Sequence, residues 1–348
     1  MRKEEVRALR EQGLSQRQIA ETLGVSRRTV RGYLDGAVQE AMASIGTSLV
    51  PRTIWFKNKN YSIQVRPEEV SFLEQVLEAF KDIPAAPPVS PPPMMQIGEM
   101  NIIPLFDVHL GLLAHKEISG EDYDLEIAAD RVRQGVADLL NRFKPAERGI
   151  VINGGDFTHQ TDDLNRTRRS NHVLDVASRN LLTVRKAIEV ISHVIEMTLG
   201  THQTVEYYSV PGNHDPQNWE TILLALAERY RNEPRVLIDT TFREFSVIEH
   251  QKVALFVHHG DKRLPKDLAM FCAAEYPVIW GRTEYRLVLT GHQHHLKADE
   301  FPGIYWMQLP PVTVRDHYAA SSGYASKAAL IGLTFDKQGE ISRHRIPL

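Results

Sequence analysis

Five short strings of metal-binding residues stand in fixed order along this 348-residue chain, each just past a run of apolar residues. They are Asp107-Val108-His109, Gly155-Asp156, Gly212-Asn213-His214-Asp215, His258-His259-Gly260-Asp261 and Gly291-His292-Gln293-His294. A lone histidine near a strand end is more often a hydrogen-bonded structural residue than a ligand. Five strings in series, mixing carboxylate, imidazole and one amide oxygen, are hard to explain by packing. That mixture suits borderline divalent metals such as manganese, iron or zinc, and it offers enough donors for two ions. Two divalent ions about 3.5–4 Å apart can clamp a phosphodiester and hold a hydroxide between them. Such a centre needs one carboxylate shared by both ions, for which Asp156 is the natural choice. It also needs neutral ligands that leave enough positive charge to depress the pKa of water.

Positioning these strings requires a scaffold that gathers several loops at one edge. From residue 97 onward strands and helices alternate, with strands expected at 101–106, 149–153, 205–210, 253–257 and 286–290. Helices are expected at 125–143, 173–197, 219–230 and 265–274. This pattern implies a mixed α/β sheet domain. Each string falls just past the C-terminal end of its strand, where open α/β folds collect ligands. Three more strands, 303–310, 330–335 and 341–346, are expected to finish a second sheet, with Gln338-Gly339 turning the last hairpin.

The order and spacing of the strings resemble the calcineurin-like metallophosphoesterases, whose pattern is DxH, GD, GNHD or GNHE, H and GHxH, over about residues 97–348. Gly154-Gly155-Asp156-Phe157-Thr158-His159 looks most like the SbcD-type DNA repair nucleases of that superfamily. The resemblance implies a two-sheet metallophosphoesterase sandwich flanked by helices, and two divalent ions, manganese first, with iron, zinc, nickel or magnesium as alternatives. By resemblance, Asp107, His109, Asp156 and His294 hold one ion. Asp156, Asn213, His292 and one of His258 or His259 hold the other, His259 being preferred because it stands directly before glycine. His214 is the implied acid for the leaving oxygen, with Asp215 as the carboxylate that raises its pKa. His159 is implied to touch the phosphate or sugar, its alternative being an ordinary loop histidine. Asp261 is a candidate to orient an imidazole through its ring N–H. Gly154, Gly155, Gly212, Gly260 and Gly291 are expected to let the backbone turn where side chains would block the phosphate.

The remaining sequence divides at prolines. Residues 84–96, Pro84-Ala85-Ala86-Pro87-Pro88-Val89-Ser90-Pro91-Pro92-Pro93 and the three that follow, read as an extended, semi-rigid linker. Ahead of it, residues 37–83 read as a connecting hairpin, turning near Asn58-Lys59-Asn60, and a helix over 67–80. Residues 1–36 read as a small all-α helix-turn-helix domain. Val6 and Leu9 face inward from the first helix, Ser15 and Ser26 cap the next two, and Gly24 makes the turn. This segment resembles the helix-turn-helix of resolvases and insertion-sequence transposases. The resemblance places Arg27, Arg28, Thr29 and Arg31 on the helix that enters the major groove. A three-helix protein-docking module is the other reading.

Bulk properties exclude little. Net charge is −3, but residues 1–36 carry eight Lys and Arg against five acids, so the small N-terminal piece is the basic one. Cys272 is the only cysteine, which rules out a disulfide framework within one chain and fits a cytoplasmic location. No apolar run approaches the ~18 residues a membrane span needs. Arg166, Arg168 and Arg169 could meet a nucleic-acid backbone or simply form a solvated loop, and Trp219, Trp280 and Trp306 are expected to pack rather than stack on bases.

A two-metal phosphodiesterase acting on DNA, as an exonuclease or endonuclease, is therefore the leading expectation. A phosphoesterase for a small nucleotide or other phosphoester is the first alternative, and a DNA-binding regulator with a structural metal domain is the second. DNA is the expected partner, and a homodimer is compatible with the reading. About fifty residues follow the last string. That is too few for the capping domain and ATPase-docking helices of the SbcD-like nucleases, so an ATPase partner is not expected.

Overall fold

In the computed structural model, residues 5–6, 9, 12, 14–27, 29–30, 54–57, 62–65, 86–90, 92, 95–167, 173–315 and 327–348 are described. The expected helix at 67–80 lies outside them, as do Arg28, Arg31, Arg168 and Arg169. The chain divides into two compact units, Met1–Lys81 and Asp82–Leu348.

In the first unit, helix α1 (Gln16–Leu23) begins with a reciprocal cap. Gln18 N–H donates to Ser15 Oγ, and Ser15 N–H donates to Gln18 Oε1 at 2.9 Å. Gly24 ends it in the left-handed region at φ 57°, a conformation glycine enters without steric cost. The Ser26 hydroxyl caps the next turn by accepting from Thr29 N–H at 3.0 Å. Val6, Ile19, Ala20 and Val30 close a small core, with Leu9, Leu14, Leu23 and Val25 packed on it. Strands β1 (Ile54–Lys57) and β2 (Ser62–Val65) form the expected antiparallel hairpin, Lys57 opposite Ser62.

The second unit is the expected two-sheet α/β sandwich flanked by helices. Its first sheet has the order β13-β12-β3-β4-β5-β6, built from β3 (Gln96–Leu105), β4 (Ala146–Asn153), β5 (His202–Ser209), β6 (Val236–Ile238), β12 (Ala329–Phe335) and β13 (Glu340–Pro347). The second has the order β10-β11-β9-β8-β7, from β7 (Ser246–His250), β8 (Val253–Val257), β9 (Tyr285–Thr290), β10 (Lys297–Phe301) and β11 (Ile304–Gln308). Helices α3 (Leu125–Leu140), α4 (Asn180–Leu199) and α5 (Asn218–Tyr230) cover the first sheet. α6 (Pro265–Glu275) and α7 (Pro277–Arg282) cover the second. A short α2 (Lys116–Ser119) follows the first string.

Side-chain alternation explains the layering. In β8, Val253, Leu255 and Val257 enter the core between the sheets, while Ala254 and Phe256 face α6. In β3, Met100 and Ile102 face the partner sheet while Ile103 and Leu105 meet the helices. Strands buried on both faces read as continuous apolar runs, which is why these were visible in sequence.

Three expectations are corrected. Of the last strands only β11 joins the second sheet. β12 pairs with β3 and β13 with β12, so both extend the first. Helix α4 starts at Asn180, not near 173, because residues 175–177 bond to the first string's loop instead: Leu113 N–H donates to Asp175 O, and Ala177 N–H to Gly111 O. The proline-rich segment does not stand clear of the domain. Ala86 and Val89 pack against its main core, and Val89 O accepts from Arg235 at 2.6 Å.

Candidate metal centre

Strands β3, β4 and β5 run parallel, as do β8 and β9. The strings that follow all five meet at one edge of the sandwich. Three donor groups form there, Asp107–His109–His294, Asp156–His259–His292 and an all-histidine group, His109–His159–His214, with the ligand atoms of each group within 4.8 Å of one another. In the first, His109 Nε2 lies 3.2 Å from His294 Nε2, and His294 Nε2 lies 3.4 Å from Asp107 Oδ1. In the second, His259 Nε2 lies 3.1 Å from Asp156 Oδ2 and 3.2 Å from Asn213 Oδ1. Ligands at roughly 2.0–2.1 Å from a tetrahedral ion stand about 3.3 Å from one another, so these separations match the spacing a coordination shell requires. Asp156 Oδ2 also lies 3.9 Å from His109 Nε2, which puts one carboxylate oxygen beside both of the first two groups.

The backbone is strained at the same places. Among the described residues, seven non-glycine residues have positive φ, and five of them are ligand candidates: Asp107 (51°), His109 (47°), Asp156 (52°), His292 (68°) and His294 (52°). The left-handed region costs an L-residue on the order of 1–2 kcal/mol, and such strain persists only where surroundings fix it. Here they do. Asp107 N–H donates to Gly155 O, His109 N–H to Asp156 O at 2.9 Å, and His292 N–H to Asp107 Oδ2 at 2.9 Å. Tyr123 props the first string from below, its hydroxyl donating to Val108 O at 2.8 Å.

Histidine orientations follow from carbonyl partners. His259 Nδ1 faces Gly154 O at 3.0 Å and must donate to it, which leaves Nε2 for the cluster. A backbone carbonyl thus orients this imidazole. His258 turns away: it stacks on Phe245 with ring centroids 4.2 Å apart, and its Nδ1 accepts from Gly260 N–H. His214 Nδ1 donates to His159 O at 2.8 Å.

Electrostatics mark a centre that calls for positive charge. Burial alone would push the Asp156 carboxyl up, but His259, His214 and His109 hold it well below the usual carboxylate range. Burial works against charge on His259, yet Asp156 raises it to about 10. Burial, then His214, pushes His109 and His159 well below the usual histidine range. Burial, then His259, lowers His292, and burial takes His258 to about 4. The donor set of carboxylate, imidazole and amide oxygen, buried except along one side, fits divalent metal.

Two residues sit differently from expectation. Asp215 does not pair with His214. It is fully buried, and its carboxylate accepts from four backbone N–H groups, those of Asp156, Phe157 (2.7 Å), Thr158 and Gly212 (2.9 Å). Adjacent side chains point apart, and Asp215 points inward as a clamp on the loop that carries Asp156. Burial, then the charge of Asp156, raises it to about 6. His159 does not face an open cleft either. It is buried, its Nδ1 lies 3.1 Å from His109 Nδ1, and it stacks on His214.

The glycines act by close approach more than by turning. A Cβ on Gly212 would come within 2.0 Å of Asp156 Oδ1, one on Gly291 within 2.3 Å of Asp107 Oδ2, and one on Gly154 within 2.1 Å of the Phe106 ring. Only Gly155 and Gly260 of the five have positive φ. Sequence reasoning missed Phe106 and Tyr123 as supports; for Phe106 the available signal was Gly154 and Gly291, where a Cβ would run into its ring.

Of the candidate DNA-contacting residues, Arg27 is exposed, while the Thr29 hydroxyl lies 2.8 Å from Ser26 Oγ in the cap. Arg166 lies in a loop bridged to Val173. Trp219 and Trp306 are buried, their ring N–H groups donating to Ser209 and Thr290, and Trp280 packs under Arg286, as expected of packing residues.

Among known proteins, a family model described as a homeodomain-like domain matches residues 3–40. No curated protein matches the chain in sequence. Similar solved structures include a novel archaeal phosphodiesterase, 15% identical over 72% of this chain and 100% of that one, with a TM-score of 0.38. Others are the phosphoesterase YfcE from E. coli (14%, 70% and 98%, 0.35) and Vps29 from Entamoeba histolytica complexed with zinc (12%, 71% and 99%, 0.30). At such identities and TM-scores these likenesses carry no functional weight. Among the described residues, no helix is long and apolar enough to cross a membrane.

Proposed function

We propose that this chain is a two-metal-dependent phosphodiesterase acting on DNA, with Asp107, His109, Asp156 and His294 holding one divalent ion and Asp156, Asn213, His259 and His292 the other. The observation that carries the reading is Asp156 Oδ2, which stands 3.1 Å from His259 Nε2 in one donor group and 3.9 Å from His109 Nε2 in the other. When bound, two such ions neutralise a phosphodiester and make a hydroxide available near neutral pH.

The chain's own residues supply the rest. Asp156 Oδ1 accepts from His214 N–H at 2.7 Å, which fixes the string carrying His214 against the shared carboxylate. With Nδ1–H committed to His159 O, His214 keeps Nε2 to deliver a proton to the leaving oxygen. Half-buried Asn213, His214, His292 and His294 form the open side of an otherwise buried cluster, where substrate can approach. Manganese suits the mixed oxygen and imidazole set. The match of residues 3–40 to a homeodomain-like domain supports DNA as the substrate to which the centre is delivered.

The test is a manganese-dependent assay offering single-stranded DNA, duplex DNA, RNA and bis-p-nitrophenyl phosphate in parallel to the full chain and to its Arg27→Ala/Arg28→Ala variant. The proposal expects hydrolysis of DNA and of the small diester, with duplex binding weakened and small-diester turnover kept in the variant. Turnover of the small diester and not of DNA would favour the small-phosphoester reading.

A further inference from the structure

We propose that a basic cavity beside the metal centre is a second phosphate subsite, which holds the nucleotide strand a few phosphates away from the bond that is cut. The proposal deepens the phosphodiesterase reading and rests on it for the identity of the strand. The cavity encloses about 560 Å³ and is lined by Arg315, Lys327 and Arg345, with Ser119, Thr313 and a single acidic side chain, Glu121, among its other walls. Glu121 is already paired with Arg131 at 2.9 Å. Lys327 and Arg345 have no ion pair or side-chain hydrogen bond among the described residues, so these two side chains carry the cavity's unpaired positive charge. Arg315 is held in place by donating to Ser119 O at 3.2 Å.

Strand polarity puts this cavity on the same edge as the centre. Strand β12 runs antiparallel to β3, so it starts where β3 ends, and β13 runs back to finish there. Hydrogen bonds connect the two sites step by step. Val312 N–H donates to Phe106 O and Thr313 N–H to Asp107 O, Ala329 N–H donates to Pro311 O, and Ala329 pairs with Pro347. Lys327 and Arg345 thus stand two to three strand spacings from Asp107, about 10–15 Å. A nucleic-acid strand carries one phosphate per about 3.4 Å of rise, so that span holds three or four phosphates. A chain of phosphates is the anion that meets both sites at once, and a mononucleotide or dinucleotide is too short to do so.

The test uses the full chain carrying Arg27→Ala/Arg28→Ala, to quiet the N-terminal domain, with and without Lys327→Gln/Arg345→Gln. Binding of a fluorescent 12-nucleotide single strand is measured by anisotropy in chelator at several salt concentrations. Turnover of bis-p-nitrophenyl phosphate and of a dinucleotide is measured with manganese. The subsite predicts that the slope of log affinity against log salt falls by about 0.7 for each cation removed, and that affinity falls about tenfold for the pair near physiological salt. Turnover of the two short substrates stays unchanged. Unchanged strand affinity and salt slope would overturn the subsite, as would an equal loss on short and long substrates. If the parent protein cleaves none of the substrates, the phosphodiesterase reading fails, while the binding measurement still decides the cavity.

Discussion

His109 Nε2 and His294 Nε2, 185 positions apart in the chain, face one another at 3.2 Å. Both residues sit in the left-handed region, at φ 47° and 52°. Two imidazole nitrogens brought this close by strained backbone, with Asp107 Oδ1 3.4 Å away, make a poor packing arrangement and a good pair of ligands. The fold holds a donor set in place.

His159 is expected to position a ligand. Its Nδ1 stands behind His109 Nδ1, the side of the ring turned away from Asp107 and Asp156. Partners of this kind fix ring orientation, and losing one typically weakens metal affinity about 10–100-fold. His159→Leu should show that loss in a chelator competition, saturating manganese should restore turnover, and His159→Asn, which keeps an acceptor, should recover much of the affinity. Unchanged metal affinity with lower turnover on diesters would return His159 to the substrate-contacting role suggested by sequence.

His214→Asn should retain both metals and slow DNA hydrolysis about 10²–10⁴-fold, the usual contribution of a general acid. The deficit should shrink on bis-p-nitrophenyl phosphate, whose leaving group needs little protonation. A comparison of turnover across leaving groups checks this, and equal deficits on both substrates would count against the role.

Away from the centre, His202 predicts a pH dependence of stability. Its Nε2 accepts from Asn101 Nδ2 at 2.9 Å and its Nδ1 donates to Thr198 O, so the ring is held neutral, and burial lowers it from 6.5 to about 4. Between those values the unfolded chain binds the extra proton and the folded one does not, so stability is full above pH 6.5 and declines as pH falls toward 4. The shift corresponds to about 3 kcal/mol at most. Denaturant titrations from pH 7 to 4 should show a decline in the wild type that is smaller in His202→Gln. Equal declines would mean that other groups carry the acid sensitivity.

Much of this arrangement was legible because β4, β8 and β9 are apolar runs ending in polar strings. The runs fix strands buried on both faces, and the strings then have to emerge at one edge. Strand β10, Lys297–Phe301, was invisible because it is an exposed edge with no apolar alternation, and its existence depends on pairing with β11. Asp215 was misread because adjacency in sequence suggested pairing with His214, whereas its direction is set by the backbone N–H groups of a loop nearly sixty residues earlier. The glycines were recognised, but not that three of them make room for Phe106 and the carboxylates of Asp107 and Asp156, since no local pattern reports a long-range contact.

If Asp156 serves two ions at once, removing its carboxylate must change the metal stoichiometry. Elemental analysis of the wild type equilibrated with manganese and freed of excess, alongside Asp156→Ala and the near-isosteric Asp156→Asn, gives the count, with circular dichroism confirming the fold. The account predicts about two equivalents per chain for the wild type, loss of the pair in both variants, and loss of diester hydrolysis with it. A folded Asp156→Ala protein that still holds two equivalents, or a wild type that hydrolyses the diester at full rate in chelator, would contradict it.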